Sequence, residues 1–266
     1  MKYFFFYFFL GSFVTLLAFR LTEKKEKRSN PQDDFSYAVI HELRAYLTNL
    51  NWVFEKLVDK GLGTFTEDQY KTINLGKTTT ENANSLVNDT LNAISVDRTE
   101  ARFKFKLNDI NKVIADIISE YALIAKERDI SLTFWASEKP IPLFFFDHSQ
   151  MYVAIHDIVH NSMKYTHNGG NIAISTNLID DKVKIDVVDN GIGIPEKDQK
   201  NIFKKFFRAQ NAKVLHEEGS GLGMFITKSI ISRHKGDITL QSEENKGTKV
   251  EIILPLSKTE PQENKN

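Results

Sequence analysis

The sequence predicts an α+β fold in three parts: an N-terminal membrane helix, a helical hairpin that forms a dimeric four-helix bundle, and an α/β domain. Three observations support this prediction. The N-terminal residues are almost entirely apolar, the next stretch repeats apolar residues at helical spacing, and the remainder alternates between strand and helix patterns. With 266 residues, 41% of them apolar and 26% charged, the chain is long enough to bury a sizeable core.

The composition excludes several classes of function. Thirty-five basic and thirty-five acidic side chains give a formal net charge of +0, which argues against nucleic-acid binding through a strong overall positive field. The chain contains no cysteine, which excludes disulfide frameworks, thiolate metal sites and thiol nucleophiles. We therefore expect no nucleic-acid partner.

The apolar N-terminal segment, residues 3–19, reads YFFFYFFLGSFVTLLAF. About 17 helical residues span roughly 25 Å, slightly less than the ~30 Å hydrocarbon core of a bilayer. A cleaved signal peptide is the alternative, but Lys2 is the one basic residue before the segment, and Ala18-Phe19-Arg20 lacks the small residues of a cleavage site. We therefore predict a single-pass transmembrane anchor over residues 1–21.

A basic linker, residues 22–32, follows the predicted anchor. Five basic residues lie just after the apolar segment, namely Arg20, Lys24, Lys25, Lys27 and Arg28. Because positively charged flanks stay on the cytoplasmic side, we expect the downstream chain to be cytoplasmic. The same charges can contact anionic lipids.

Residues 33–98 are predicted to form the helical hairpin. The first helix, which Asp33 or Asp34 can cap, carries apolar residues at spacings of three and four: Ile40, Leu43, Leu47, Leu50, Phe54 and Leu57. Gly61-Leu62-Gly63 ends it, and a second helix runs from Glu67 to about Val96, with one face formed by Thr80, Asn84, Val87, Leu91 and Ile94. Two such helices cannot cover their own apolar seam, so we expect a second copy to complete the bundle in a homodimer.

Residues 102–256 show the patterns of the α/β domain, and residues 257–266 form a polar tail that we predict to be disordered. Alternating apolar residues predict strands near residues 103–107 and at 130–136, 171–178, 182–188, 237–240 and 248–254. Helical spacing predicts helices that begin at Asn108 or Asp109 and at Asp147 or Ser149, and two more at 201–208 and 224–234. We expect the helices to cover one face of a mixed sheet.

Three polar or glycine-rich elements interrupt this domain. They are His160–Tyr165, Asp189–Gly193 and Gly219–Gly223. A glycine-rich loop that opens a helix can present N–H groups to phosphate oxygens, although a lone motif of this kind is more often a simple turn. A carboxylate at a strand end, such as Asp189, can accept a hydrogen bond from an exocyclic amine like that of adenine. Asn161 is a neutral oxygen ligand suited to Mg²⁺, and Lys164 lies three residues on, on the same helix face.

In this order, the elements resemble the nucleotide-binding boxes of the histidine-kinase/Hsp90-type ATPase superfamily, and more closely those of bacterial two-component sensor histidine kinases. Residues 157–166 (DIVHNSMKYT) are similar to the N box and residues 189–195 (DNGIGIP) to the G1 box. Residues 202–208 (IFKKFFR) resemble the F box, residues 219–223 (GSGLG) the G2 box and residues 245–248 (NKGT) the weaker G3 element.

The resemblance extends upstream to the first predicted helix. Residues 35–44, FSYAVIHELR, look like the H box that carries the phosphorylated histidine of this family. A zinc site at His41 and Glu42 does not fit, because position 45 is alanine and no cysteine is present. By resemblance, His41 would be the phosphoacceptor and Glu42 the carboxylate that takes its proton.

The resemblance implies an α/β sandwich ATP-binding domain of the Bergerat type that uses ATP and Mg²⁺. Asn161 would ligate Mg²⁺, and Asp189 would bind the adenine amine in a pocket shaped by Gly191 and Gly193. Lys164 and Arg208 would face phosphate, and Tyr165 would pack near the adenine or ribose. The triphosphate would lie against the glycine-rich loop at residues 219–223, and residues 209–218 would be a mobile lid. The further ATP-site residues implied are Gly219, Gly221, Leu222, Gly223 and Thr248. Phe203, Phe206 and Phe207 can equally be ordinary core residues without a role in the F box.

The resemblance also implies partners and a location. The phosphoryl group of His41 would pass to an aspartate of a separate response regulator. The protein would be a homodimer in the bacterial cytoplasmic (inner) membrane, with one membrane pass and the catalytic region in the cytoplasm.

Two positions depart from the family pattern. Ala45 replaces the usual Thr or Asn four residues after the histidine, and alanine cannot hydrogen-bond a water that attacks an aspartyl phosphate, so we expect weak phosphatase activity. Tyr46 replaces the usual helix-bending proline and predicts a straighter helix. Two alternatives therefore stay open: a catalytically weak ATP-binding dimerisation scaffold, and another ATPase or kinase of the same superfamily that acts without a phosphohistidine.

Overall fold

The computed structural model describes residues 31–58, 65–97, 103–215 and 219–257. The predicted membrane anchor, nearly all of the basic linker and nearly all of the C-terminal tail lie outside these residues. Within them, no helix is long and apolar enough to cross a membrane. For residues 31–39, 41, 42 and 94–97 the structure describes the helical backbone without the side chains.

Two long helices precede the α/β domain and pack against each other. Helix α1 spans Pro31–Val58, beginning two residues before the predicted start, and α2 spans Glu67–Asp97. Thr66 and Gln69 form a capping box at the start of α2: each accepts a hydrogen bond from the backbone N–H of the other, at 3.3 and 2.9 Å. Gly76 lets the helices approach closely, since a Cβ there would lie 2.5 Å from the Phe54 ring.

The α/β domain contains a five-stranded sheet and three main helices. The strands of the sheet, in spatial order, are β2 (Ser131–Trp135), β4 (Asn171–Ile179), β5 (Lys182–Asp189), β7 (Gly247–Pro255) and β6 (Asp237–Glu243). The first pair is parallel and the others are antiparallel. Two short strands, β1 (Lys106–Asn108) and β3 (Phe144–Phe146), form a separate antiparallel pair.

The helices cover one face of the sheet, as predicted. They are α3 (Ile110–Glu127), α4 (His148–Tyr165) and α7 (Gly223–Arg233). On β5, Val183, Ile185 and Val187 are buried and join the core under these helices. On the opposite face of β5, Asp186 forms ion pairs of 3.0 Å with both Lys184 and Lys249. The alternation along the strand therefore separates an apolar core from a charged outer face.

The predicted helix over residues 201–208 is wrong. The structure has a short helix α5 (Glu196–Gln199), then successive four-residue turns, then a short helix α6 (Gln210–Leu215). Phe206 has a φ of +61°, which no helical residue adopts. The apolar residues of this segment imitate helical spacing, but they point in different directions. The strand β3 was also not predicted from the sequence.

Helix α4 carries the N-box segment and is fixed at its start by Asp147. The Asp147 carboxylate accepts hydrogen bonds from the backbone N–H of Gln150 at 3.0 Å and of Lys104 at 2.6 Å, and from the hydroxyl of Ser149 at 2.7 Å. Its own backbone N–H donates to Nε2 of His234 at 3.0 Å. Burial raises the pKa of Asp147, but these donors outweigh it and hold the pKa below its usual value.

We predict that Asp147→Ala destabilises the domain by about 1–2 kcal/mol at pH 7, because it removes the N-cap of α4. Asp147→Asn keeps an acceptor but loses the charge. Since the folded-state pKa is lowered, the stability from the charge is present above the unfolded pKa and is lost as pH falls through the folded pKa.

Thermal unfolding of the full chain in detergent between pH 7 and pH 3 would check this. The stability difference between wild type and Asp147→Asn should shrink at the acidic end, whereas exposed Glu138→Gln should leave stability nearly unchanged. A gap between wild type and Asp147→Asn that widens as pH falls would contradict the prediction.

Candidate functional site

A cavity of about 770 Å³ lies between α2, α4, the start of α7 and the ends of β5 and β7. Ten of the twelve predicted ATP-site residues line it: Asn161, Lys164, Tyr165, Asp189, Gly193, Arg208, Gly219, Gly221, Gly223 and Thr248. The other two, Gly191 and Leu222, lie in the adjacent turns, and Leu222 is buried. The structure therefore brings together residues from all the predicted nucleotide-binding boxes.

Asp189 lies at the end of β5 and is held from three sides. Its Oδ1 accepts the backbone N–H groups of Gly191 at 3.0 Å and Thr248 at 3.2 Å, and its Oδ2 accepts the hydroxyl of Ser162 at 3.0 Å. Burial raises the pKa of Asp189, and the hydrogen bonds partly oppose this shift. The carboxylate is thus a fixed acceptor on the cavity wall with lone-pair capacity left for an amine.

The turn after Asp189 fits only glycine at its two key positions. A Cβ on Gly191 would lie 2.5 Å from the carbonyl oxygen of Tyr165. Gly193 has a φ of +62°, and a Cβ there would lie 2.0 Å from the carbonyl oxygen of Glu243. The turn is therefore clamped between the end of α4 and the end of β6, with Ile192 N–H bonded to the Tyr165 carbonyl at 3.1 Å.

One face of α4 points into the cavity. Asn161 and Lys164 lie one turn apart on this face, and both are half-buried. The Lys164 ammonium stands 5.8 Å from the centre of the Tyr165 ring. Burial raises the pKa of Tyr165, and the charge of Arg208 and its hydrogen bond to Tyr165 partly lower it. Two cations and a phenol thus lie along one side of the cavity.

The glycine-rich loop, Gly219–Gly223, opens α7 at the far side of the cavity. Gly219 and Gly221 have φ values of +142° and +66°, a region that favours glycine. A Cβ at Gly219 would lie 3.5 Å from the Arg208 guanidinium and 3.7 Å from Lys164 Nζ, so the loop passes beside both cations. Backbone N–H groups at a helix start next to two cations are suited to an anion.

Apolar side chains form the remaining walls. Those that line the cavity between Asp189 and the glycine-rich loop are Ile192, Ile194, Ile202, Phe207, Met224, Leu240 and Val250. An apolar pocket with a few fixed polar groups is typical of small-molecule sites. Its lining suits an aromatic base beside Asp189 and an anionic group beside the glycine-rich loop.

The three phenylalanines predicted as core or F box differ from one another. Phe203 packs against the core, and Phe207 lines the cavity. Phe206 is 68% exposed, so a core assignment for it is wrong. Its backbone conformation turns the side chain outward.

The predicted lid, residues 209–218, is described as far as residue 215. It begins with buried Ala209 and contains α6. The Asn211 side chain donates to the carbonyl of Gly193 at 2.9 Å, and the Gln210 N–H donates to Asp198 at 2.9 Å. These bonds attach the start of the segment to the turn after Asp189 and to α5.

The H box lies on α1, where the structure describes the helix through His41 and Glu42. The side chains of these two residues lie outside what it describes. The structure describes the two positions that differ from the family pattern: Ala45 is exposed, and Tyr46 is 59% exposed. The backbone is helical through both, in agreement with the absence of a proline.

Sequence reasoning missed three polar side chains of the site. Ser162 anchors Asp189, as given above, and its position directly after Asn161 could have pointed to it. Asp157, one turn before Asn161, is half-buried, and its buried Oδ2 has no hydrogen-bond partner within the described part of the chain. Asp89 on α2 accepts a hydrogen bond from Ser220 at 2.6 Å. No sequence signal connects Asp89 with the glycine-rich loop.

The residues present fit an adenine nucleotide. The carboxylate of Asp189 is fixed by three donors of the protein, and the turn at Gly191 has no room for a side chain. For Mg²⁺ the protein offers the Asn161 amide, since no group of three or more His, Asp or Glu side chains in the described ranges could hold a metal ion. Such a set suits a magnesium ion that takes most of its ligands from phosphates and water.

Comparison with known proteins gives one family match. Residues 146–258 match the family of histidine kinase-, DNA gyrase B- and HSP90-like ATPases. This range contains α4, the four strands β4 to β7 of the five-stranded sheet, and the glycine-rich loop.

Relatives extend the similarity beyond this range. The sensor protein RprX of Bacteroides fragilis is 28% identical over 89% of this chain and 46% of its own length. The sensor protein kinase WalK of Staphylococcus saprophyticus is 31% identical over 84% of this chain and 36% of its own length. The chain therefore spans less than half the length of each of these two curated relatives.

Solved structures share the fold. Full-length ShkA in complex with AMPPNP superposes with a TM-score of 0.68 at 20% identity, covering 84% of this chain and 46% of that one. Histidine kinase ThkA in complex with the response regulator protein TrrA gives a TM-score of 0.59 at 21% identity, over 84% and 61% of the two chains. The chain is thus similar over most of its length to bacterial sensor proteins and sensor protein kinases, and its residues 146–258 match the family of histidine kinase-, DNA gyrase B- and HSP90-like ATPases.

Proposed function

We propose that the chain is a membrane-anchored sensor histidine kinase that phosphorylates His41 with ATP and passes the phosphoryl group to an aspartate of a response regulator. The observation that carries the proposal is the pairing of a fixed adenine acceptor, Asp189, with a phosphate-compatible loop at the other end of the same cavity. The relatives named as sensor protein kinases support the same activity.

Each end of the cavity has its own role in this proposal. Asp189 accepts a hydrogen bond from the 6-amino group of adenine, and the apolar walls enclose the base. Lys164 and Arg208 balance phosphate charge beside Gly219, and Asn161 holds Mg²⁺, which neutralises charge on the phosphates when bound. Thr248 contributes its backbone N–H to Asp189 and has no direct role toward phosphate.

His41 is the proposed phosphoacceptor. One imidazole nitrogen of His41 attacks the γ-phosphorus, a P–N bond forms as the bond from the γ-phosphorus to the bridging oxygen breaks, and ADP leaves. The other ring nitrogen gives its proton to Glu42. The phosphohistidine then donates the phosphoryl group to a carboxylate of the regulator. The ThkA complex with TrrA is an example of such a pair among structures of the same fold.

The helix pair supports a homodimer. Along α1, Leu43, Tyr46, Leu50 and Val53 recur at spacings of three and four, and each is between 45% and 59% exposed in the single chain. A continuous exposed apolar stripe of this kind is stabilised by a second copy in a four-helix bundle. The apolar segment at residues 3–19, followed by basic residues, supports a single-pass anchor in the bacterial inner membrane, with the catalytic region in the cytoplasm.

The activity is tested by phosphoryl transfer from γ-labelled ATP to the full chain in detergent with Mg²⁺. We expect acid-labile, base-stable label, absent from His41→Ala because the acceptor nitrogen is gone. Asn161→Ala should also abolish labelling. Acid-stable label, or label that survives His41→Ala, would contradict the proposal. No label despite nucleotide binding that needs Asn161 would favour the scaffold alternative.

A second prediction concerns the adenine end of the cavity. Asp189→Asn replaces an acceptor with an amide whose N–H₂ faces the amine, so we expect ATP affinity to fall by about thirtyfold or more. Calorimetric titration of ATP would measure this, with circular dichroism to check folding. The exposed Glu196→Gln removes one negative charge nearby in sequence and should leave ATP affinity within about twofold of wild type. Unchanged ATP binding by Asp189→Asn would remove Asp189 from the site.

A third prediction concerns Ala45. Because alanine cannot hydrogen-bond an attacking water, we expect wild type to dephosphorylate its regulator slowly and Ala45→Thr to raise this rate about tenfold or more. The measurement is the loss of label from a phosphorylated regulator identified by phosphotransfer from the wild-type chain. Ala45→Ser and Ala45→Val separate the hydroxyl from side-chain volume. An Ala45→Thr rate equal to wild type would refute this role for position 45.

A further inference from the structure

Helix α2 contributes a carboxylate to the wall of the cavity. The hydroxyl of Ser220 donates a hydrogen bond of 2.6 Å to Oδ2 of Asp89 and accepts the N–H of Leu222 at 3.1 Å. Helices α2 and α7 pack together around this contact. A single hydroxyl therefore connects the helix pair to the glycine-rich loop and to the first turn of α7.

The loop has an acidic side as well as a basic one. Arg208 and Lys164 lie beside Gly219, as described above. On the other side lies Asp89, and a Cβ at Gly223 would lie 3.4 Å from the buried Oδ2 of Asp157. Burial, together with the smaller effect of the charge of Asp89, raises the pKa of Asp157 to about 7. The two carboxylates thus affect each other across the start of α7.

This arrangement is unfavourable for a bound triphosphate. The loop N–H groups and the helix start attract phosphate oxygens. A carboxylate a few ångströms away repels them, and the effect is strong in a partly buried site. Ser220 also cannot rotate toward a phosphate while its hydrogen is given to Asp89.

We propose that Asp89 is a specificity-determining residue of the nucleotide cavity. It holds the Ser220 hydroxyl, and its negative charge repels the terminal phosphate. A triphosphate therefore binds as the contact between α2 and the glycine-rich loop opens. The inference rests on the proposed function and adds to it a regulation of ATP binding by the helix pair. Because coupling between two equilibria is reciprocal, ATP binding and release of the helix pair from the loop promote each other. The released pair is the one that carries His41.

The test compares nucleotides of different charge on variants of the full chain in detergent. Asp89→Asn keeps an oxygen that accepts from Ser220 but loses the charge. Asp68→Asn removes the same charge from an exposed position on α2 and serves as the matched control. Calorimetric titrations with ATP, ADP and adenosine are made in excess Mg²⁺ and in EDTA.

We expect Asp89→Asn to bind ATP about tenfold more tightly than wild type, with a larger gain in EDTA, because repulsion grows with phosphate charge. The gain should be smaller for ADP, and adenosine should stay within about twofold. Asp68→Asn should match wild type. A gain shared equally by adenosine would contradict the inference, because it would show a general change in the cavity. Weaker MgATP binding by Asp89→Asn would also overturn it, because Asp89 would then assist the nucleotide.

Amide hydrogen exchange gives a second readout. Asp89→Ala should increase exchange in residues 85–93 and 219–226 without nucleotide, and saturating ATP should increase exchange in residues 85–93 of wild type. No change in either segment would overturn the inference. Failure of the proposed function gives a different result: neither wild type nor Asp89→Asn would bind ATP at all.

Discussion

The buried carboxylate of Asp189 is the contact on which the rest of the site depends. It ends β5, accepts the hydroxyl of Ser162 on α4 and takes the N–H of Thr248 at the start of β7. These three elements are distant in sequence, and the burial that raises the pKa of Asp189 is tolerated because each carboxylate oxygen has a donor. The fixed Asp189 carboxylate aligns α4, which carries Asn161, with the sheet that forms the floor of the cavity.

The glycine positions follow from the same constraint. The turn after Asp189 lies between the Tyr165 carbonyl and the end of β6. Side chains at Gly191 and Gly193 therefore have no space. Across the cavity the glycine-rich loop passes beside Lys164 and Arg208 on one side and Asp89 on the other. The Asp189 end is therefore rigid, whereas the glycine-rich loop is linked to the helix pair, and this division suits the proposed kinase, whose proposed acceptor His41 lies on that pair.

Much of this was predictable from sequence because the information is local. Helical spacing and the Asp147 cap position give α4, alternation gives β4 to β7, and motif order places Asn161, Asp189 and the glycines in one site. The segment after Pro195 was mispredicted because its phenylalanines have helical spacing, while Phe206 adopts a positive φ that only the packed structure determines. The bond between Asp89 and Ser220 joins residues 131 positions apart, and no local pattern encodes it.

The proposed nucleotide site is tested most directly by a crystal structure of the chain with Mg²⁺ and a non-hydrolysable ATP analogue. We predict the 6-amino nitrogen of adenine within hydrogen-bond distance of an Asp189 carboxylate oxygen, and the phosphates beside Gly219–Gly223. A nucleotide bound elsewhere, or one in this cavity with its base at the glycine-rich loop, would contradict it.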